Sequence, residues 1–354
     1  MIGMRRIPSL DILRGFALCG ILFVNAPAML RLSTTPNGTV DPVVRWLEFG
    51  VYHRFFPLFS VLFGIGFALM WQSARRRTAS PRLVLLRRIL ALGVLGVLHQ
   101  LLQPGEALLP YAIVALTLLL PATFLPTRWA VPATAAVGGV CTVAAVTVGS
   151  GPLMVPGLFL LGFAAGTAEL PRRVEQAGSW VPPLLLALLT PAAVVAVMWQ
   201  STHPGASVGA GLLLAAVYAC AVSMLVHTRS GVIGGALTAL GRTALTNYLA
   251  ATLIVVAVRV VAEPLGLGSE DDGAWDRTLV LCAIILALQA TVSMLWLKRF
   301  DQGPVEWLVR RLTWAGAAPA ADMPRAEAEI GGERTVAAEA ANSALSQPVT
   351  VSRI

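Results

Sequence analysis

Asp11-Ile12-Leu13-Arg14-Gly15-Phe16-Ala17-Leu18-Cys19-Gly20-Ile21-Leu22-Phe23-Val24-Asn25 decides the class of this chain. An acid and a base three residues apart share one face of a helix, at the mouth of an apolar run that ends in an amide. A simple membrane anchor has no use for that pair. Charge at the edge of a span points instead to a polar interior between helices.

The rest of the chain agrees. Of 354 residues 56% are hydrophobic and 12% charged, and mean hydropathy is +0.75, whereas a soluble domain carries about 25% charged residues. The composition predicts an all-α polytopic membrane protein. A window of about 20 apolar residues, enough to cross a hydrocarbon core, fits ten times, at 12–31, 55–73, 83–102, 107–125, 129–148, 152–169, 180–199, 206–226, 236–261 and 277–297. With the N-terminus inside, Arg5, Arg6, Arg75, Arg76, Arg77, Arg82, Arg128, Arg172, Arg173, Arg229, Lys298, Arg299, Arg310 and Arg311 fall on inner segments. Asp41, Glu48, Glu106, Glu263, Glu270, Asp271, Asp272 and Asp276 fall on outer ones, with Arg31, Arg45 and Arg54 as the outer bases. Both termini are therefore expected in the cytoplasm.

Two domains are expected: a helical membrane domain over 1–316 and a disordered cytoplasmic tail over 317–354, which is rich in Ala, Glu, Ser and Pro and lacks apolar periodicity. Ala26-Pro27-Ala28 after an apolar stretch has some likeness to a signal-peptide cleavage site, but Asp11 and Arg14 interrupt the start of that stretch. The formal charge of +8 is spread in short clusters between spans, with no aromatic-interleaved basic face for nucleic acid. Cys19, Cys141, Cys220 and Cys282 lie in apolar segments without metal-ligand spacing, and no metal site is expected. Gly162-x-x-x-Gly166 and Gly205-x-x-x-Gly209 read as close helix contacts.

Polar residues at membrane depth are the candidate chemistry. Eleven residues of helix after Arg88 rise about 16 Å and carry His99 to the outer end of the third span. Pro104-Gly105-Glu106 then turns the chain back. His99 and Glu106 are expected to face each other, as a general base and the carboxylate that orients it. An interfacial histidine bonded to a carbonyl is the plainer alternative. His53, in Tyr52-His53-Arg54-Phe55-Phe56-Pro57, is a second catalytic candidate or an interfacial anchor. His203 and His227 lack partners that suggest chemistry, and no nucleophile elbow or zinc-protease helix is present.

Arg6-Ile7-Pro8-Ser9-Leu10-Asp11-Ile12-Leu13-Arg14-Gly15, Val24-Asn25 and Phe56-Pro57-Leu58-Phe59-Ser60-Val61-Leu62-Phe63-Gly64-Ile65-Gly66 resemble the opening of the YeiB-like family, domain of unknown function 418. Arg87-Arg88 with Leu98-His99 and Gly105-Glu106 resembles its arginine pair, histidine and Gly-Asp turn, Glu106 being one methylene longer. Gly241-Arg242-Thr243-Ala244-Leu245-Thr246-Asn247-Tyr248-Leu249 and Gly303-Pro304-Val305-Glu306-Trp307-Leu308 are similar to its late signatures. The opening is also similar to transmembrane acyltransferases, which pass an acyl group from cytoplasmic acyl-coenzyme A to a sugar beyond the membrane. Many of those carry a histidine where this chain has Asn25.

The resemblance implies a multi-pass protein of a bacterial plasma membrane, with acyl-coenzyme A as co-substrate and a hydroxyl or amine of an extracytoplasmic glycan or small molecule as acceptor. Arg87, Arg88 and Arg242 are then the candidate donor-binding residues, since a thioester donor carries phosphates; positive-inside topology alone is the competing account. Asp11 and Arg14 form an inner-mouth pair. Asn25, or Asn247 with Tyr248, offers hydrogen bonds to a developing oxyanion. A transporter or lipid-handling protein is the alternative, although residues 5–150 and 152–315 show no convincing repeat.

Overall fold

The computed structural model describes residues 7–35, 39–176, 180–227, 231–267 and 273–317, and every regular element among them is helical. The chain begins with α1 (Pro8–Leu30), a short α2 (Pro42–Gly50), α3 (Phe55–Arg77) and α4 (Pro81–Gln100). A continuous apolar helix follows, formed by α5 (Leu108–Val114), a π turn (Ala115–Leu119) and α6 (Leu120–Ala122). Next come α7 (Thr127–Val148), α8 (Gly151–Thr167), α9 (Leu170–Gln176), α10 (Val181–Gln200) and α11 (Ser207–His227). The last four are α12 (Gly231–Arg242), α13 (Ala244–Val260), α14 (Ala274–Trp296) and α15 (Pro304–Trp314).

Six stretches are long and apolar enough to cross a membrane: those carrying α1, α3, α7, α10, α11 and α14. Two bent pairs raise the number to eight: α8 with α9, bent by 56°, and α12 with α13, bent by 86°. Of the ten expected spans, 83–102 and 107–125 are not among these. The first became α4, which carries Arg82, Arg87 and Arg88, and the second a helix of only fifteen residues, Leu108–Ala122.

The expected straight span 236–261 is also broken, at Thr243. In a continuous helix the N–H groups of Leu245 and Thr246 would bond back to residues 241 and 242. They donate instead to Glu306 Oε1 on α15, at 2.7 and 3.1 Å, while the Thr246 hydroxyl donates to Oε2 at 2.5 Å. A carboxylate from elsewhere in the chain thus caps α13 and allows the turn. Hydropathy carries no trace of this.

α1 is the axis of the bundle, packed against α3, α11, α12, α13 and α14. Its closest neighbour is α12: a Cβ on Gly241 would overlap the Asp11 carbonyl, and one on Gly15 would overlap the Leu237 carbonyl. α3 and α8 meet in the same way through Gly64 and Gly162, with Gly166 against Ala68. Gly205 is different, because nothing lies within 4 Å of where its Cβ would be; it is no packing device. The start of α1 also takes a remote cap, Glu175 of α9, whose Oε1 accepts from the Ser9 hydroxyl at 2.6 Å and the Ser9 N–H at 3.3 Å. Of the tail, only Ala317 lies within the described residues.

Candidate functional site

A cavity of about 1010 Å³ runs through the bundle. On α1 it is lined by Asp11, Arg14, Leu18, Ile21 and Asn25, a helical stripe rising about 21 Å. On α3 the stripe is Phe56, Phe59, Phe63, Phe67 (with Gly66), Met70, Ser73 and Arg77, about 32 Å long. A hydrocarbon core is about 30 Å thick, so the cavity follows the bundle over a comparable depth.

Its two ends differ in chemistry. At the end where α1 begins, Arg14, Arg77, Arg88, Arg172, Arg242 and Arg310 line the wall together with Asp11, Asp301 and Glu306. Six guanidiniums and three carboxylates line this end, and Arg172 also lies 3.9 Å from Glu169, which leaves a surplus of two positive charges. The middle is apolar, with Leu18, Ile21, Phe59, Phe63, Phe67 and Leu92. The other end holds Tyr52, His53, Gln103, Glu106, Tyr111 and Tyr248, with Asn25 below them.

The turn between α4 and α5 brings His99 and Glu106 together, as their spacing suggests. His99 Nδ1 lies 3.4 Å from Glu106 Oε2, and both residues are buried, at 4% and 2% exposure. Glu106 has a second task that the sequence does not announce. Its two oxygens accept from the Leu108 and Leu109 N–H groups at 2.5 and 2.6 Å, capping α5. His99 Nε2 is 2.9 Å from the Thr252 hydroxyl, which donates to Gln103 Oε1 at 2.9 Å. Both ring nitrogens are therefore engaged, and His99 does not line the cavity; Glu106, Gln103 and Tyr248 do.

Tyr248 packs its ring 4.9 Å from the His99 ring. Its hydroxyl accepts from the Ala107 N–H at 3.4 Å, so its own proton is available to the cavity. Asn25 lies in the cavity wall, and its side-chain amide makes no hydrogen bond to any described residue. Asn247 is turned elsewhere: its Nδ2 donates to Thr243 Oγ1 at 2.8 Å and Ser293 Oγ at 2.9 Å, and Gln289 donates to its carbonyl. This network pins the 86° bend against α14 and leaves no Asn247 donor for a ligand.

His53 sits at the same end, exposed on the cavity wall, with a left-handed backbone (φ 63°). Such a conformation costs a non-glycine residue about 1–3 kcal/mol unless its surroundings impose it. Here Arg54 supplies the constraint, fully buried and bonded to the Tyr52 carbonyl and, at 2.8 Å, to Gln200 Oε1. His203 is an exposed surface residue stacked on Trp199, and the side chain of His227 lies outside the described residues.

Asp11 and Arg14 form the expected pair at 3.2 Å. Arg88 and Arg242 line the cavity, whereas Arg87 reaches away to the Ala315 carbonyl. Arg77, Arg310 and Glu306 belong to this end too; Arg77 is among the inner-face arginines that the sequence offers to the donor's phosphates, whereas Arg310 and Glu306 have no assigned role there. For Arg77 a signal existed: it continues the 59–63–66–70–73 face of α3. For Glu306 the clue was an acid opening an amphipathic helix in an otherwise basic segment. No group of three metal-ligating side chains occurs among the described residues.

The family model described as "Protein of unknown function (DUF418)" matches residues 173–316. An uncharacterized 39.9 kDa protein in an amylase 3′ region of Bacillus acidopullulyticus is 31% identical over 87% of this chain and 94% of its own length. The uncharacterized protein YxaH of Bacillus subtilis is 28% identical over 89% of this chain and 96% of its own length. The uncharacterized protein YeiB of Escherichia coli is 42% identical over 24% of this chain and 21% of its own length. No solved structure matches. With its long apolar helices and bacterial relatives this is a multi-pass membrane protein, and the chain belongs to the YeiB-like DUF418 family.

Proposed function

We propose that this protein is a plasma-membrane acyltransferase that uses one cavity to carry an acyl group from a cytoplasmic acyl-coenzyme A to a hydroxyl or amine acceptor on the far side. The observation that carries the proposal is the polarity of the cavity, with a surplus of arginine at one end, apolar walls between, and Asn25, Glu106 and Tyr248 at the other. Arg88 and Arg242 would hold the donor's phosphates. The acyl chain would lie along Leu18, Ile21 and the α3 phenylalanines.

At the far end the acceptor oxygen or nitrogen attacks the thioester carbonyl. The Asn25 amide and the Tyr248 hydroxyl donate to the oxygen that becomes negative. The acceptor's proton passes to the buried His99–Glu106 pair at the wall, whose side chains are 2% and 0% exposed, so the two act as one base and neither member is singled out. As the C–S bond breaks the proton passes to the thiolate, which leaves as the free thiol of coenzyme A, so the transfer balances without another reactant.

The topology proposed with it has ten crossings. α4 supports this count, since Leu83, Leu90, Val94, Val97 and Leu98 expose one apolar face for about 22 Å while Arg88 turns inward. Leu108–Ala122 would be a short crossing. Both termini then lie with the arginine end in the cytoplasm.

A cavity reached from both ends would also serve a transporter. Turnover separates the two: purified protein given acetyl-coenzyme A and glucosamine is expected to release free thiol in step with acceptor consumption. Glu106→Gln should slow that release by about 10²–10⁴-fold, the usual scale of acid-base catalysis. Acceptor-independent or absent thiol release would favour transport.

A further inference from the structure

We infer that the arginine end of the cavity binds a phosphate-bearing head group of two or more negative charges, and that the carboxylate of Glu306 is the tethered anion this ligand displaces. The inference rests on the donor half of the acyl-transfer reading for its biological setting, but it is read by binding alone.

Unused donor capacity at this end is concentrated on the cavity. Arg82 is spent on the Thr123 hydroxyl and carbonyl, and Arg87 on the Ala315 carbonyl. Arg88 makes no hydrogen bond or ion pair with any described residue, and the charges it feels are those of Arg14 and Glu306. The Nε of Arg242 is buried without a partner. A guanidinium at this depth is costly unless an anion answers it. The three carboxylates of the wall, with Glu169 beside Arg172, answer six arginines and leave two positive charges, room for a polyanion where a single carboxylate would not suffice.

Glu306 marks where that anion goes. Its oxygens occupy the positive end of α13, a helix of 17 residues, and it reaches there from α15. α15 packs on α4 and touches α13. Val309 and Thr313 are its buried residues, and it is further tied by Glu306, by the Val305 N–H donating to the Thr246 hydroxyl at 3.1 Å, by the Arg77 guanidinium over Trp314 and by Arg87 on Ala315 just beyond it. Asp301, Gln302, Val309, Arg310, Thr313 and Trp314 of the same segment line the cavity. A ligand entering from this side therefore meets α15 and its Glu306 first. Beyond the arginines the wall is apolar, so the ligand that fits is an amphiphile with its phosphates at this end.

The head group has two candidate sources, a soluble coenzyme A thioester or an anionic phospholipid. Full-length protein in phosphatidylcholine nanodiscs is titrated calorimetrically with inorganic pyrophosphate and with coenzyme A, then again with cardiolipin, a phospholipid of two negative charges, present. Saturable binding is expected, tightened about tenfold by Glu306→Gln, a usual size for coupling between competing sites. Arg88→Gln should weaken it at least as much, and Arg88→Lys should restore part of the loss. Suppression by cardiolipin identifies the lipid source; undiminished binding of coenzyme A identifies the soluble one; either supports the site. Equal affinities for wild type, Arg88→Gln and Glu306→Gln, with all three melting alike, overturn the inference. Binding without acyl transfer would leave this site standing and remove the catalytic proposal.

Discussion

Glu106 does two jobs with one carboxylate. It ends the turn after α4 by capping α5, and it faces His99 across 3.4 Å. A buried carboxylate needs such donors, because an unsatisfied charge at this depth costs several kcal/mol. The role of His99 follows from its partners: it fastens α4 to α13 through Thr252 and touches the cavity only through Glu106 and Tyr248. Removing it leaves Thr252 and Glu106 short of a buried partner. His99→Ala should therefore destabilise the protein by about 1–3 kcal/mol, the cost of a buried polar group left unsatisfied. A thermal melt reads this, with exposed His203→Ala as the unaffected control; equal melting of the two variants would mean that His99 is not a structural tie. The pairing of His99 with Glu106 was legible in the sequence because seven residues and a Pro-Gly turn permit little else. The double use of Glu106 was not, because capping depends on where the next helix starts.

Carboxylates from short helices set the ends of the long ones. Glu175 of α9 caps α1, and Glu306 of α15 caps α13. In a bilayer the free N–H groups of a helix start have little water to turn to, so such a cap counts for more than on a soluble surface. Glu175→Ala should weaken the α1 start by about 0.5–2 kcal/mol, the range for loss of an N-cap, and lower the melting temperature. Glu175→Gln, which keeps an acceptor oxygen, should recover most of it. An unchanged melt for Glu175→Ala would show that Ser9 is satisfied otherwise. The long helices were legible, since all ten apolar windows fall on helices, whereas the short α2, α9 and α15 lie outside every window. The break at Thr243 was hidden because it is dictated by Glu306, sixty residues away in sequence from Thr246, and hydropathy averages over such contacts. The arginines of α4 read only as topology signals until the fold turned Arg88 inward and Arg87 outward.

The whole molecule is organised by α1, whose glycine seam against α12 and polar stripe toward the cavity lie on different faces of one helix. Composition made the membrane class plain from the outset, whereas the cavity is a tertiary feature assembled from eight or more helices and has no linear signature. The proposed function rests on the cavity's polarity, with phosphates held at the arginine end and acyl transfer at the Glu106 end of one passage. The direct test is sidedness. Protein is reconstituted with uniform orientation in sealed vesicles, glucosamine is trapped inside, and radiolabelled acetyl-coenzyme A is added outside, on the arginine face. Labelled acyl-glucosamine should accumulate in the lumen while coenzyme A thiol stays outside, and vesicles oriented the other way should make none. Product formed on the donor's own side, or equally in both orientations, would contradict it.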